Sequence, residues 1–126
     1  MTISKNRLSA ATGALAIALG ALALAPGQAA ADNHGNKMVD AGKKIAFDRR
    51  KGNCLACHHI DGGAAGGTIG PPLIAMSVRF PDKDKLRAQI WDATVSNPES
   101  AMPPFGSHHI LSDAEIDKVV EFIWSL

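Results

Sequence analysis

The sequence predicts an all-α domain: three main helices joined by long Gly/Pro-rich loops. Three observations carry this. No segment sustains the period-two alternation of β-branched residues that marks a half-buried strand. Near the C-terminus Ile116, Val119, Val120 and Ile123 recur at three- and four-residue spacing, the stripe of an amphipathic helix. Many of the 12 Gly and 7 Pro cluster, notably at 62–72 and 103–106, where they punctuate the chain between helical stretches. A length of 126 residues suits one domain. The 13 basic and 12 acidic residues nearly cancel, so nothing in the charge calls for nucleic acid or a polybasic membrane contact.

Residues 1–31 stand apart. Lys5 and Arg7 open the chain, no charge occurs from Leu8 to Ala25, Pro26-Gly27 breaks the run, and Ala29-Ala30-Ala31 precedes Asp32. Basic start, apolar middle and small residues are the layout of a secretory signal, cut after Ala31 within one or two residues. The apolar run is shorter than the roughly 20 residues of a membrane span, so no span is expected once the signal is gone. The mature domain is then 32–126, periplasmic, with 11 basic and 12 acidic residues. A chain this small has marginal core area and gains from a staple such as a metal, a disulfide or a large apolar cofactor.

Asp32 to Lys37 reads as a frayed start. Val39 to Arg50 has helical character, with Val39, Ile45, Ala46 and Phe47 sharing a face and Lys43, Lys44, Arg49 and Arg50 turned to water. Gly62, Gly63, Gly66, Gly67 and Gly70 forbid a regular element and mark a loop that Pro71-Pro72 ends. Leu73 to Met76 suits a short helical turn. A helix is expected from about Lys83 to Thr94, started by Pro81 or Asp82, with Leu86, Ile90 and Trp91 inward. Asn97-Pro98 stops it, and Pro103-Pro104-Phe105-Gly106 forms a stiff loop. The last helix opens on Ser112 and Glu115, the S-x-x-E capping box, with Asp113 at the positive end of the helix dipole.

The chemistry lies in Cys54-Leu55-Ala56-Cys57-His58, which contains every cysteine of the chain. This is the spacing of c-type haem attachment. Two thiols add to the two vinyl groups of one porphyrin, and the adjacent His58 is then held at the iron. An exported chain, with few aromatics to build a core, suits one covalent haem. Other readings of the pair exist. A thioredoxin-like redox couple normally sits in a βαβ context, and no strands are in evidence. Zinc with His58, His59, His108 or His109 is a possible donor count, yet the neighbours His108 and His109 converge poorly on one ion. A copper carrier using His and Met is a third reading.

A second axial donor would come from a Met or a spare His. Met102 is favoured, because Pro103-Pro104 stiffens the loop that presents it. Met76 follows His58 too soon to travel round a haem edge, and Met38 suits packing. His/Met ligation leaves no open position, which fits electron transfer and disfavours oxygen chemistry.

The order of helix, Cys-x-x-Cys-His, Gly70-Pro71-Pro72-Leu73, middle helix, Met loop and final helix resembles class I cytochrome c across the mature chain. The resemblance implies that the Pro71 carbonyl accepts a hydrogen bond from His58 and that Leu73 packs on the ring. More closely, Phe47 to His58, Ile69 to Leu73 and Asn97 to Gly106 resemble the SoxX family, the small cytochrome subunit of the SoxAX complex of bacterial thiosulfate oxidation. That family implies a heterodimer with SoxA, which carries the catalytic haem. The complex, an L-cysteine S-thiosulfotransferase, couples thiosulfate to a cysteine of the transient partner SoxYZ. This subunit passes electrons to a small cytochrome c or another acceptor and has no catalytic residue of its own. The competing class is a free cytochrome c shuttle without an enzymatic partner, and an exposed apolar patch would discriminate the two.

Overall fold

The computed structural model describes residues 27–126. Its helices are α1 (Gly27–Phe47), α2 (Met76–Arg79), α3 (Lys83–Trp91) and α4 (Asp113–Trp124). Short 3₁₀ turns lie at Cys54–Ala56 and Ala93–Val95. Among the described residues the only β pairing is an isolated parallel bridge between Ile60 and Leu73. The all-α expectation holds, with three main helices and one short one.

The boundaries moved in three places. The first helix starts well before Val39, because Asp32 to Lys37 is helical instead of frayed. Gly35, inside it, meets nothing within 4 Å, so it costs only its intrinsic helix propensity. The signal segment lies outside the described residues except for its end at 27–31. The turn expected at Leu73–Met76 begins at Met76, since Ala75 takes φ 50 and Leu73 is drawn into the bridge with Ile60. The middle helix ends at Trp91, because Asp92 turns extended and its carboxylate accepts from Thr94 N–H at 3.0 Å, starting a separate turn. At its front Asp82 is the cap, accepting from Asp84 N–H at 2.9 Å.

Helices α1 and α4 cross at the centre of the fold. Gly42 is the reason they come so close: a Cβ there would overlap the Lys118 carbonyl and sit 2.9 Å from Phe122 Cβ. Beyond the crossing, Phe47 and Phe122 pack edge to face with centroids 5.6 Å apart. The α4 stripe is buried as expected, and Phe122 joins it. At the helix start the Glu115 carboxylate accepts from Ser112 N–H at 3.1 Å, closing the box that the sequence announces. Trp124, at the far end, is half-buried; its Nε1–H donates to the Phe80 carbonyl at 3.0 Å and its ring lies under Lys83 Nζ at 4.4 Å. Helix α3 leans on α4 through Leu86 and Ile90, and Arg87 reaches Asp113 and Asp117, each at 2.7 Å.

Among the described residues no helix is long and apolar enough to cross a membrane.

Candidate haem site

The cysteine pair sits on a tight backbone coil. Asn53 enters it in the left-handed region, and the Cys54 carbonyl accepts from both Cys57 N–H, at 3.2 Å, and His58 N–H, at 2.9 Å. The glycine loop then folds back over the coil. Gly67 N–H donates to the Leu55 carbonyl and Gly70 N–H to the Cys57 carbonyl, both at 2.8 Å. A Cβ on Gly70 would collide with the His58 ring, so only glycine lets the loop lie flat against that imidazole. The loop delivers the Pro71 carbonyl to 2.7 Å from His58 Nδ1. A carbonyl only accepts, so Nδ1–H donates to it, and Nε2 is the ring nitrogen left for another partner.

Met102 arrives from a second, separately braced loop. Its N–H donates to Ser100 Oγ at 3.2 Å, Gly106 N–H to the Trp91 carbonyl at 3.0 Å, and Ser107 Oγ–H to Asp92 at 2.8 Å. Phe105 is buried beneath it. The first contact stiffens the loop before the methionine, and the other two tie the residues after it to the C-terminal end of α3.

Both loops open on one cavity of about 640 Å³, within the range of cofactor sites. Cys54, Cys57, His58, Pro71, Leu73 and Met102 all line it, so the structure brings every sequence-predicted site residue to one place. Its apolar walls come from α2, α3 and α4 through Met76, Leu86, Ile90, Val119 and Ile123. Met76 is buried and its sulfur accepts from Arg79 at 3.3 Å, which agrees with the packing role expected of it. Arg49, Arg50 and Lys51 border the same cavity. His108 and His109 are exposed.

The surroundings of the pair bear on the competing readings. Burial pushes the Cys54 thiol up to about 11, so with nothing bound to it the sulfur is neutral at neutral pH. Among the described residues no three His, Cys, Asp or Glu side chains converge as a metal cage would. A paired-cysteine redox site in a βαβ setting has no strands here to stand on.

A family model for cytochrome c oxidase, cbb3-type, subunit III matches residues 34–123. The chain belongs to this family of c-type cytochrome domains. No curated protein gives a significant match. The fold is thus the class I cytochrome c fold, and this cytochrome is an electron carrier whose cofactor is covalent haem c.

The residues present fit that cofactor. Two thiols lie one turn apart at the edge of an apolar cavity, an imidazole with a free Nε2 borders it, and a thioether enters from another loop. Cys54 and Cys57 would hold the macrocycle, and His58 and Met102 would hold its iron. The group, when bound, supplies a one-electron couple.

Sequence reasoning missed two contributors. Arg79 donates to the Pro72 carbonyl at 2.9 Å, bracing the proline pair that orients His58. Gln89 projects into the cavity from α3. The apolar spacing of Leu86 and Ile90 marks this face as inward, and that was the available signal for Gln89.

Proposed function

We propose that this cytochrome binds one haem c through Cys54 and Cys57, with His58 and Met102 as axial ligands, and relays electrons in the periplasm as the small subunit of a SoxAX-type thiosulfate-oxidising complex. The observation that carries the relay role is the convergence of His58 and Met102 on one cavity from two braced loops. With His58 and Met102 both holding the iron, the group would offer no open site to substrate and would supply outer-sphere electron transfer. Pro71 orients His58, and Leu73 packs on the ring. Export rests on the signal-like residues 1–31.

The resemblance of Gly52–His58 and Met102–Gly106 to the SoxX family supports the complex. So do the exposed Ile74 and Val78, at 56% and 76% exposure in and just before α2, since such side chains suit a permanent partner better than a free shuttle. Catalysis belongs to the SoxA partner, with SoxYZ as the transient carrier and a small cytochrome c as one acceptor. The free shuttle is the second reading, favoured by the basic rim of Arg49, Arg50 and Lys51 that would steer an acidic partner.

The test is reduction. With the partner subunit and the carrier protein added, thiosulfate should reduce this haem, and the isolated chain should not respond. Thiosulfate turnover by the isolated chain would overturn the relay role. No reduction in the full mixture, together with no co-purifying haem protein, would favour the free shuttle.

A further inference from the structure

The methionine loop closes on one aromatic ring. Gly106 is buried, and a Cβ on it would collide with Cδ2, Cε3 and Cε2 of Trp91. All three belong to the six-membered ring, two of them at its fusion, so the glycine lies against the face of the indole and not its edge. Only a residue without a side chain comes that close. The backbone repeats the contact, since Gly106 N–H donates to the Trp91 carbonyl at 3.0 Å.

Between Met102 and Gly106 the chain has little freedom. Pro103 and Pro104 fix φ at two of the three intervening residues, and the third, Phe105, is buried. Whatever holds Gly106 therefore sets where Met102 stands, although Trp91 itself does not line the cavity. The indole is held in turn. The Arg87 guanidinium lies over it, 5.2 Å from the ring centroid, and donates to Asp113 and Asp117 of α4 at 2.7 Å each. Leu86 and Ile90 already supply the buried face of α3, and Trp91 stays half-buried. Its contacts run from the methionine loop on one hand to the start of α4 on the other.

We propose that Trp91, steadied by Arg87, is a positioning residue that keeps the Met102 thioether in the cavity, and that an outside ligand displaces Met102 only through a state in which Gly106 has left the indole. The inference rests on the reading of Met102 as axial ligand. The affinity of an outside ligand is lowered by the small fraction of molecules in that open state. Weakening the stack enlarges the fraction while the donor atoms stay the same.

The experiment uses the full chain matured with haem, oxidised and titrated with imidazole at fixed pH. The near-infrared sulfur-to-iron band reads how much Met102 remains bound. Trp91→Leu should keep the band in the absence of imidazole and lose it at about three- to tenfold lower imidazole than wild type, the range expected of one aromatic contact. Trp91→Phe, which keeps a ring face, should restore most of the wild-type midpoint. Val120→Ala is the control for stability alone: Val120 is buried in α4 and does not line the cavity, so its variant should melt lower with an unchanged midpoint. If Trp91→Leu does not mature, Arg87→Gln decides in its place, with a midpoint about twofold lower expected from loss of the cation over the ring. An unchanged midpoint in the variant that decides would overturn the proposal. So would an equal shift in Val120→Ala, since Met102 would then be released by general loosening of the fold. A wild type that carries covalent haem but lacks the band would instead remove the Met102 reading, and the proposal with it.

Discussion

At the scale of single residues, the two methionines on the cavity wall test how a side chain's role follows from its anchoring. Met76 is 2% exposed and its sulfur is occupied by Arg79, whereas Met102 is half-buried on a loop pinned at Ser100, Gly106 and Ser107. Met102→Lys should therefore abolish the near-infrared sulfur-to-iron band of the oxidised protein. Met76→Leu should keep it and lose only the stability of an imperfect core swap, under about 1.5 kcal/mol. Band loss in Met76→Leu alone would reassign the ligand. The sequence favours Met102 on other grounds, because Pro103-Pro104 stiffens its neighbourhood and Met76 lies too near His58. The hydrogen bond between His58 and Pro71 was likewise anticipated from the Gly-Pro segment. Arg79 was not, because nothing local pairs an arginine with a carbonyl seven residues before it.

At the scale of elements, α4 couples its own start to the haem-attachment coil. Lys51, two residues from Asn53, forms an ion pair with Glu115 in the capping box. The Lys51 ammonium, helped by the Ser112 N–H, holds the Glu115 carboxyl down to about 2 from an ordinary 4.5. A carboxyl depressed by folding contributes stability that is complete above about pH 4.5 and is lost as pH falls toward 2. Both partners are partly exposed, at 47% and 23%, so after screening the contribution is about 1 kcal/mol or less. In Glu115→Gln the cap can persist while the titration is removed. Thermal melts at pH 6, 4 and 3 should show the variant less stable than wild type at pH 6 and the gap closing at pH 3. A constant gap would place the stabilisation elsewhere. Half of this device, Ser112 with Glu115, stood in the sequence as a local pattern. The other half did not, since a partner 64 residues away is set by tertiary packing. Gly42 is similar: inside a helix it reads as a propensity cost, and only the α1–α4 crossing explains it.

At the scale of the whole molecule, the cavity replaces what would otherwise be the centre of the core. Its walls are drawn from three helices and both loops, so few apolar side chains can meet across it directly. Cys54→Ser with Cys57→Ser should yield little folded protein, judged by loss of a cooperative thermal transition. Wild type should show by mass one haem adduct and a start near Asp32. A double variant melting like wild type would refute haem as the organising centre. The all-α class was legible because helical periodicity is a local property. The start of the first helix was not, because Asp32 to Lys37 lacks an apolar stripe and is helical without one.

The crossing at Gly42 also sets an order of events in time. Helix α1 finds its packing partner only when α4 exists, since the contact joins nearly opposite ends of the described chain. A chain delivered N-terminus first presents the Cys54–His58 coil while Val119 and Ile123, which wall the cavity, have not yet arrived. Such long-range closure is the slow part of folding. The thiols are thus presented before the far wall of the cavity is in place, and burial of Cys54 follows as the fold closes. The same topology that locks the group in place leaves the door open until the last helix is made.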